Sequence, residues 1–271
     1  MIRICLAGAT GWVGESLVPA IDAAPDLELV GAVARRAAGE SLAHALRLDV
    51  LSPRTANLVV SATVEAALAV PTDVLVDFTA PATVERHALA AIDRGVHVVI
   101  GTSGLTDADY ERIGAAADRA GVGVLAAGNF AITAVLMERF AVMAAKHLRS
   151  WEVIDYGAAS KPDAPSGTAR EVAARLGQVA VPEVQVPIEA TQGAPEARGL
   201  TLNGAQVHSV RLPGYMIGAE VLFGMPDERL SIRYESGSSA EPYVGGTLLA
   251  VRRIGTFQGL RRGLDTLLDE S

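Results

Sequence analysis

The chain has one cysteine, five histidines and no long hydrophobic run in its 271 residues, and each shortage excludes a class of protein. A lone cysteine builds neither a disulfide framework nor a cysteine-based metal site, and Cys5 reads as a small hydrophobe inside an apolar strand. His44, His87, His97, His147 and His208 are scattered without ligand spacing, so no metal is expected. Apolar runs such as residues 57–60 and 96–100 are far too short to span a bilayer. No basic run occurs and the net charge is −8, which argues against a nucleic-acid partner. The N-terminus enters a strand at once, without the features of a signal peptide, so a cytoplasmic protein is expected. What is plentiful is apolar sequence. Half of the residues are apolar and 20% are charged, enough for one large core or two ordinary ones.

Along residues 1–129, apolar runs alternate with helical patterns. Strands are expected at residues 2–7, 27–34, 74–78, 96–100 and 122–126, with helices after Gly14, from Pro81 to about Arg94 and from Thr106 to about Ala120. Continuous apolar strands separated by helices indicate a parallel, doubly wound α/β sheet. After Asn129 the pattern changes to a long helix over 131–148, a strand over 152–156, a helix over 169–176, and strands at 205–212, 219–224 and 230–235. Residues 181–203 read as irregular connection. The expected division is a dinucleotide-binding domain over 1–129, completed by 241–271, and an α+β domain over 130–240 with mostly antiparallel strands.

The turn Gly8-Ala9-Thr10-Gly11-Trp12-Val13-Gly14 follows the first strand and opens the first helix. In that context the three glycines allow a tight turn, close approach of a pyrophosphate and close helix–strand packing. The end of the second strand selects the nucleotide. An acidic residue there binds the ribose hydroxyl of NAD, whereas arginine accepts the 2′-phosphate of NADP. This chain offers Arg35 and Arg36 and no acidic residue before Glu40, so NADPH is expected, with NADH as the alternative. Phe78-Thr79 and Gly101-Thr102-Ser103 lie just past the carboxyl ends of parallel strands, where ligands bind in such sheets.

A second constellation occupies residues 161–169, Lys-Pro-Asp-Ala-Pro-Ser-Gly-Thr-Ala. Two prolines stiffen the approach, and Ser166-Gly167-Thr168 reads as a turn running into the helix. Unpaired N–H groups and the positive end of the dipole favour a carboxylate or phosphate there. The competing reading is a capped helix after a proline-rich loop. Tyr156 and Lys161 are five residues apart, which does not match the i,i+4 pair of short-chain dehydrogenases.

Together the glycine triplet, Asp77-Phe78-Thr79, Gly101-Thr102-Ser103, Gly128-Asn129-Phe130-Ala131, Lys161 to Thr168 and His208-Ser209-Val210-Arg211 resemble the 4-hydroxy-tetrahydrodipicolinate (dihydrodipicolinate) reductase family, in its order and over essentially the whole chain. The resemblance implies a Rossmann domain, an α+β domain that binds substrate and forms a homotetramer, NAD(P)H, and reduction of a cyclic unsaturated dicarboxylate on the route to lysine and meso-diaminopimelate. It makes Lys161 the proton donor, places a substrate carboxylate at Ser166, Gly167 and Thr168, and adds Asn129 and Phe130 to the cofactor residues. It also exposes a departure. The family carries a histidine pair where this chain has Gly157 and Ala158, and another histidine where it has Ser160. A histidine common between Tyr215 and Glu220 is absent too. Tyr156 and Tyr215 are the hydroxyls available to replace them. The first reading is therefore the family's reductase, the second a paralogue reducing a different cyclic imine or related carboxylate. The third is a non-catalytic NADP(H)-binding sensor, which would have no need to keep Lys161.

Overall fold

The computed structural model describes residues 1–215 and 217–268. Its contacts divide the chain into one unit of residues 1–132 with 239–271 and a second of residues 133–238. Of the C-terminal segment expected to complete the first domain, residues 269–271 lie outside the described residues.

The first unit is a parallel six-stranded sheet of Rossmann type. Its strands are β1 (Ile2–Ala7), β2 (Leu27–Val33), β3 (Val74–Asp77), β4 (His97–Ile100), β5 (Gly123–Ala126) and β11 (Gly259–Arg262), in the order β11-β5-β4-β3-β1-β2. Both faces of a parallel sheet are covered, so the central strands are largely apolar, and Ile4, Leu6, Leu75, Val76, Val98 and Val99 are all fully buried. Helices α5 (Pro81–Ile92) and α6 (Asp107–Ala120) bury Val84, Ala88, Ile92, Ile113 and Ala117 against Cys5, Leu75, Val98 and Val124. Helix α1 (Trp12–Ala23) packs beside α9 (Glu241–Arg253). Thr106 starts α6 with a reciprocal capping box to Asp109, and Gly121 ends it in the left-handed conformation.

The structure corrects the reading of this unit in two places. Three short helices, α2 (Leu42–Leu46), α3 (Pro53–Ala56) and α4 (Val64–Ala67), lie where none was assigned. Ser41, Ser52 and Thr63 cap them, but four or five residues are too few to show a periodic pattern. Strand β11 was hidden as well. Gly-Leu-Arg-Arg carries no strand signature and becomes a strand by pairing with β5.

The second unit holds a five-stranded sheet of β6 (Trp151–Gly157), β7 (Leu200–Leu202), β8 (Ala205–Arg211), β9 (Ile217–Met225) and β10 (Glu228–Ser236), in the order β10-β9-β6-β8-β7. All its pairings are antiparallel except β6 with β8. Helix α7 (Ile132–Ala145) leads into it, and α8 (Gly167–Val179) packs Ala169, Val172, Ala173 and Leu176 against β6 and β8. Strand β7 falls inside the stretch read as irregular. Helix α8 begins at Gly167 rather than Ala169, because Ser166 is its N-cap. Gly167 and Thr168 are thus the first turn of the helix rather than the turn before it.

Candidate functional site

The nucleotide half is built where β1 hands over to α1. Gly8 adopts φ +87°, and a Cβ there would stand 2.4 Å from the carbonyl oxygen of Phe78. Gly14 is equally constrained, since a Cβ would meet the Gly8 carbonyl at 2.3 Å. Gly11 is the N-cap of α1 and supplies no side-chain cap, which leaves the first-turn N–H groups at Trp12 and Val13 without a side-chain partner at the positive end of the helix dipole. Thr10 and Gly11 border this opening and are part-exposed. The arrangement fits a dinucleotide pyrophosphate, which brings the acceptors this turn lacks. Arg35 and Arg36 sit in a single exposed turn at the end of β2, with no carboxylate partner among the described residues.

The loops after β3 and β4 are tied together by a residue that sequence reasoning passed over as a ligand-site organiser. Asp77 is fully buried. Its Oδ1 accepts from the Thr79 N–H at 2.9 Å, the Thr79 hydroxyl at 2.6 Å and the Thr102 hydroxyl at 2.9 Å. Its Oδ2 lies 2.7 Å from Nδ1 of His87, whose Nε2 faces the Arg86 guanidinium at 3.1 Å. Arg86 can only donate, so Nε2 accepts and Nδ1 carries the proton given to Asp77. The Phe78 ring lies over Gly101, where a Cβ would be 2.0 Å from a ring carbon, and meets Phe130 edge-on at 5.5 Å. Ser103 is exposed, and the Asn129 side chain accepts from the Ala131 N–H at 2.9 Å to turn the chain after β5. The signal for Asp77 was legible: one charge ending an otherwise apolar strand.

In the second unit, Lys161 is part-buried and its Nζ lies 2.8 Å from Oδ1 of Asp163. The hydrogen bond from Lys161 holds the Asp163 carboxyl below its usual range. Ser166 is 3% exposed, its hydroxyl oxygen accepts from the Ala169 N–H at 3.2 Å, and its own N–H donates to Asp155 Oδ2 at 2.8 Å. The N–H groups of Gly167 and Thr168 are used by no described residue, and open space surrounds the position of a Gly167 Cβ. This helix start therefore presents two free donors, with a primary ammonium on the same short segment.

Beneath it lies a charge pair that the sequence reading missed. Asp155 is fully buried, and besides Ser166 its Oδ2 accepts from the Ser209 hydroxyl at 3.0 Å and from Arg211 Nη2 at 2.7 Å. Burial raises the Asp155 carboxyl, but hydrogen bonds from Ser166, Arg211 and Ser209 outweigh it and leave the group below the usual carboxylate range. Strand alternation offered the signal, since Trp151, Val153 and Asp155 share the buried face of β6. Gly157 does not leave an empty pocket. The Arg211 guanidinium fills the space, with Nη1 3.0 Å from where a Cβ would be. Tyr156 projects from the opposite face. Its hydroxyl donates to Glu220 at 2.7 Å, its ring stacks on Tyr215 at 5.0 Å, and burial with Glu220 pushes it up to about 12. That hydroxyl spends its proton on Glu220.

Among the described residues no three acidic, histidine or cysteine side chains form a metal cluster, and no helix is long and apolar enough to cross a membrane.

Two family models match successive parts of the chain: dihydrodipicolinate reductase, N-terminus, over residues 2–130, and dihydrodipicolinate reductase, C-terminus, over residues 133–268. The chain is 34% identical over 269 residues to 4-hydroxy-tetrahydrodipicolinate reductase of Bacillus velezensis, covering 99% of this chain and 98% of that one. It is 38% identical over 269 residues to the enzyme of the same name from Mycolicibacterium vanbaalenii, covering 99% of each. A solved dipicolinate-bound dihydrodipicolinate reductase from Paenisporosarcina sp. TG-14 superposes with a TM-score of 0.86 at 29% identity, over 98% of this chain and 99% of that one. An amine dehydrogenase from Mycobacterium smegmatis shares the fold at 14% identity, with a TM-score of 0.64 over 96% of this chain and 94% of that one.

Proposed function

The chain belongs to the dihydrodipicolinate reductase family, and on that premise we propose that it reduces 4-hydroxy-tetrahydrodipicolinate with a nicotinamide cofactor, in the formation of lysine and diaminopimelate. The observation that carries the reading is the segment from Lys161 to Thr168. One ammonium and two unused backbone donors on a single short segment, a loop running into the first turn of α8, match a substrate that bears carboxylates and needs a proton as it is reduced.

When bound, the reduced nicotinamide supplies the hydride. The first-turn donors at Trp12 and Val13 would hold the pyrophosphate, in a tight turn that only glycine allows at positions 8 and 14, where a Cβ would collide with backbone carbonyls. Phe78, Thr79, Gly101, Thr102, Ser103, Asn129 and Phe130 border the nicotinamide and ribose, with the first four fixed through Asp77 and the Phe78 ring. Arg35 and Arg36 bind the 2′-phosphate and favour NADPH over NADH. In the second unit, Gly167 and Thr168 donate their N–H groups to a substrate carboxylate, and Ser166 shapes this cradle as the cap of α8. Lys161 gives the proton on Nζ to the ring atom where negative charge develops, leaving a neutral amine that solvent reprotonates. Asp163 keeps Nζ oriented until transfer. We assign the protein to the cytoplasm as a homo-oligomer, a tetramer by family resemblance, which sedimentation equilibrium tests.

The absence of imidazoles at Gly157 and Ala158 favours a second reading, reduction of a different cyclic imine or related carboxylate. The deciding experiment mixes the full-length protein, NADPH and substrate freshly generated by the preceding synthase, and follows the nicotinamide absorbance. Rapid oxidation is expected. Its absence, with oxidation by a simpler cyclic imine carboxylate, would replace the first reading with the second.

A further inference from the structure

Arg211 ends β8 next to Gly157, the last residue of β6, with which it is in register. Its side chain is 16% exposed and makes four contacts with three separate pieces of chain. Nη2 donates to Asp155 Oδ2 at 2.7 Å and to the Asp163 carbonyl at 2.6 Å. Nη1 donates to the Val210 carbonyl at 2.9 Å and to the Asp155 carbonyl at 3.3 Å. The guanidinium reaches all of them by lying across the Cα of Gly157. A Cβ there would be 3.0 Å from Nη1 and 3.1 Å from both Cζ and Nε, tighter than most packing contacts, so the guanidinium would have to shift by a few tenths of an ångström.

The connections lead to the substrate donors from both sides. The Asp163 carbonyl that Arg211 holds belongs to the residue whose carboxylate orients the Lys161 ammonium. Asp155, which Arg211 neutralises, accepts the N–H of Ser166, the cap of the helix whose first turn offers Gly167 and Thr168. A planar fork is the group suited to this task, since lysine has no second arm to span a carboxylate and a carbonyl. We propose that Arg211 is the positioning residue of the Lys161–Thr168 segment, and that in this chain its guanidinium lies in the space a side chain at position 157 would enter. This rests on the reading of Lys161, Gly167 and Thr168 as substrate donors. It goes further by making Gly157 and Arg211 one coupled device.

The test uses the full-length protein and its Arg211→Lys, Arg211→Ala, Gly157→Val and Gly157→Val/Arg211→Ala variants, each with NADPH. Dipicolinate, a stable aromatic dicarboxylate, is titrated calorimetrically, and amide exchange is followed over residues 161–168. Arg211→Ala and Gly157→Val should each weaken dipicolinate by about ten- to a hundredfold, as expected for loss of ordered donors to a charged group. Each should speed exchange of the Ser166 amide while NADPH affinity stays at the wild-type value. The double variant should be no worse than the single ones, because both remove the same contact. Lysine at 211 should restore little, since it lacks the fork. Multiplying effects in the double variant, full rescue by lysine, or wild-type binding in Gly157→Val would each overturn the proposal. If Arg211→Ala does not fold, the exchange rates of Arg211→Lys and Gly157→Val decide it. A wild-type protein that ignores dipicolinate, yet shows Ser166 protection dependent on Arg211, would sink the substrate reading and leave the clamp standing.

Discussion

Replacing Asp155 by asparagine keeps the shape of a fully buried side chain and removes its charge. In the native protein Oδ2 accepts from the Ser166 N–H at 2.8 Å, the Ser209 hydroxyl at 3.0 Å and Arg211 Nη2 at 2.7 Å. A hydrogen bond to a charged group contributes about 1.5–3 kcal/mol and a neutral one about 0.5–1.5, so converting the Ser166 and Ser209 bonds removes roughly 2–3 kcal/mol, while the Arg211 bond keeps its charged donor. A second route gives a similar figure, because neutralising one partner of a buried ion pair costs about 3–5 kcal/mol. The new amide nitrogen would add to the loss, as it would take the place of Oδ1, a buried atom without a partner. Urea denaturation, followed by circular dichroism and tryptophan fluorescence, measures the difference at neutral pH. The sign of its pH dependence follows from the lowered folded-state value of Asp155. The charge contributes fully above the unfolded carboxylate value of about 3.9, and that contribution is lost as pH falls through the folded value. The wild-type and Asp155→Asn curves should therefore converge in acid. A loss under about 1 kcal/mol at neutral pH would refute the reasoning about the pair. A gap that persists unchanged into strong acid would refute its electrostatic origin.

Three other outcomes are expected. Arg35→Asp should reverse the preference for NADPH over NADH, since a charge-assisted phosphate contact contributes about 1.5–3 kcal/mol, or roughly ten- to a hundredfold in affinity. Calorimetric titration of both cofactors at one salt concentration checks this, and an unchanged ratio counts against Arg35. Lys161→Ala should lower kcat by about a hundred- to ten-thousandfold while NADPH affinity stays constant, and near-normal turnover would remove the lysine from the mechanism. Gly8→Ala combines a left-handed residue, strained by about 1–2 kcal/mol, with a clash against the Phe78 carbonyl. It should weaken dinucleotide binding, and wild-type affinity would show that the turn tolerates a side chain.

Much of the first unit was legible because its signals are local. A strand buried on both faces is largely apolar along its length, so β1 to β5 announce themselves, and the glycines at 8, 11 and 14 mark a turn with no room for side chains. The lysine segment stood out for the same reason, its prolines and Ser-Gly-Thr run being a local statement about a loop and a helix start. Strand β11 was not legible, since its Gly-Leu-Arg-Arg is a strand only by virtue of the neighbour it pairs with. Nor was the role of Arg211, which meets Asp155 across 56 residues of sequence.

What the sequence determined by itself is the set of local commitments: which stretches must be buried, where helices start, and which residues carry protons or positive charge. The tertiary structure decided which charges meet. Asp77 finds His87 and Thr102, and Asp155 finds Ser166, Ser209 and Arg211, only after strands have paired in register and loops have closed over them. Gly157 shows the difference most plainly. In the sequence it is a missing side chain, and in the fold it is the space a guanidinium fills, because an ion pair excluded from water must find its partner wherever the backbone leaves room.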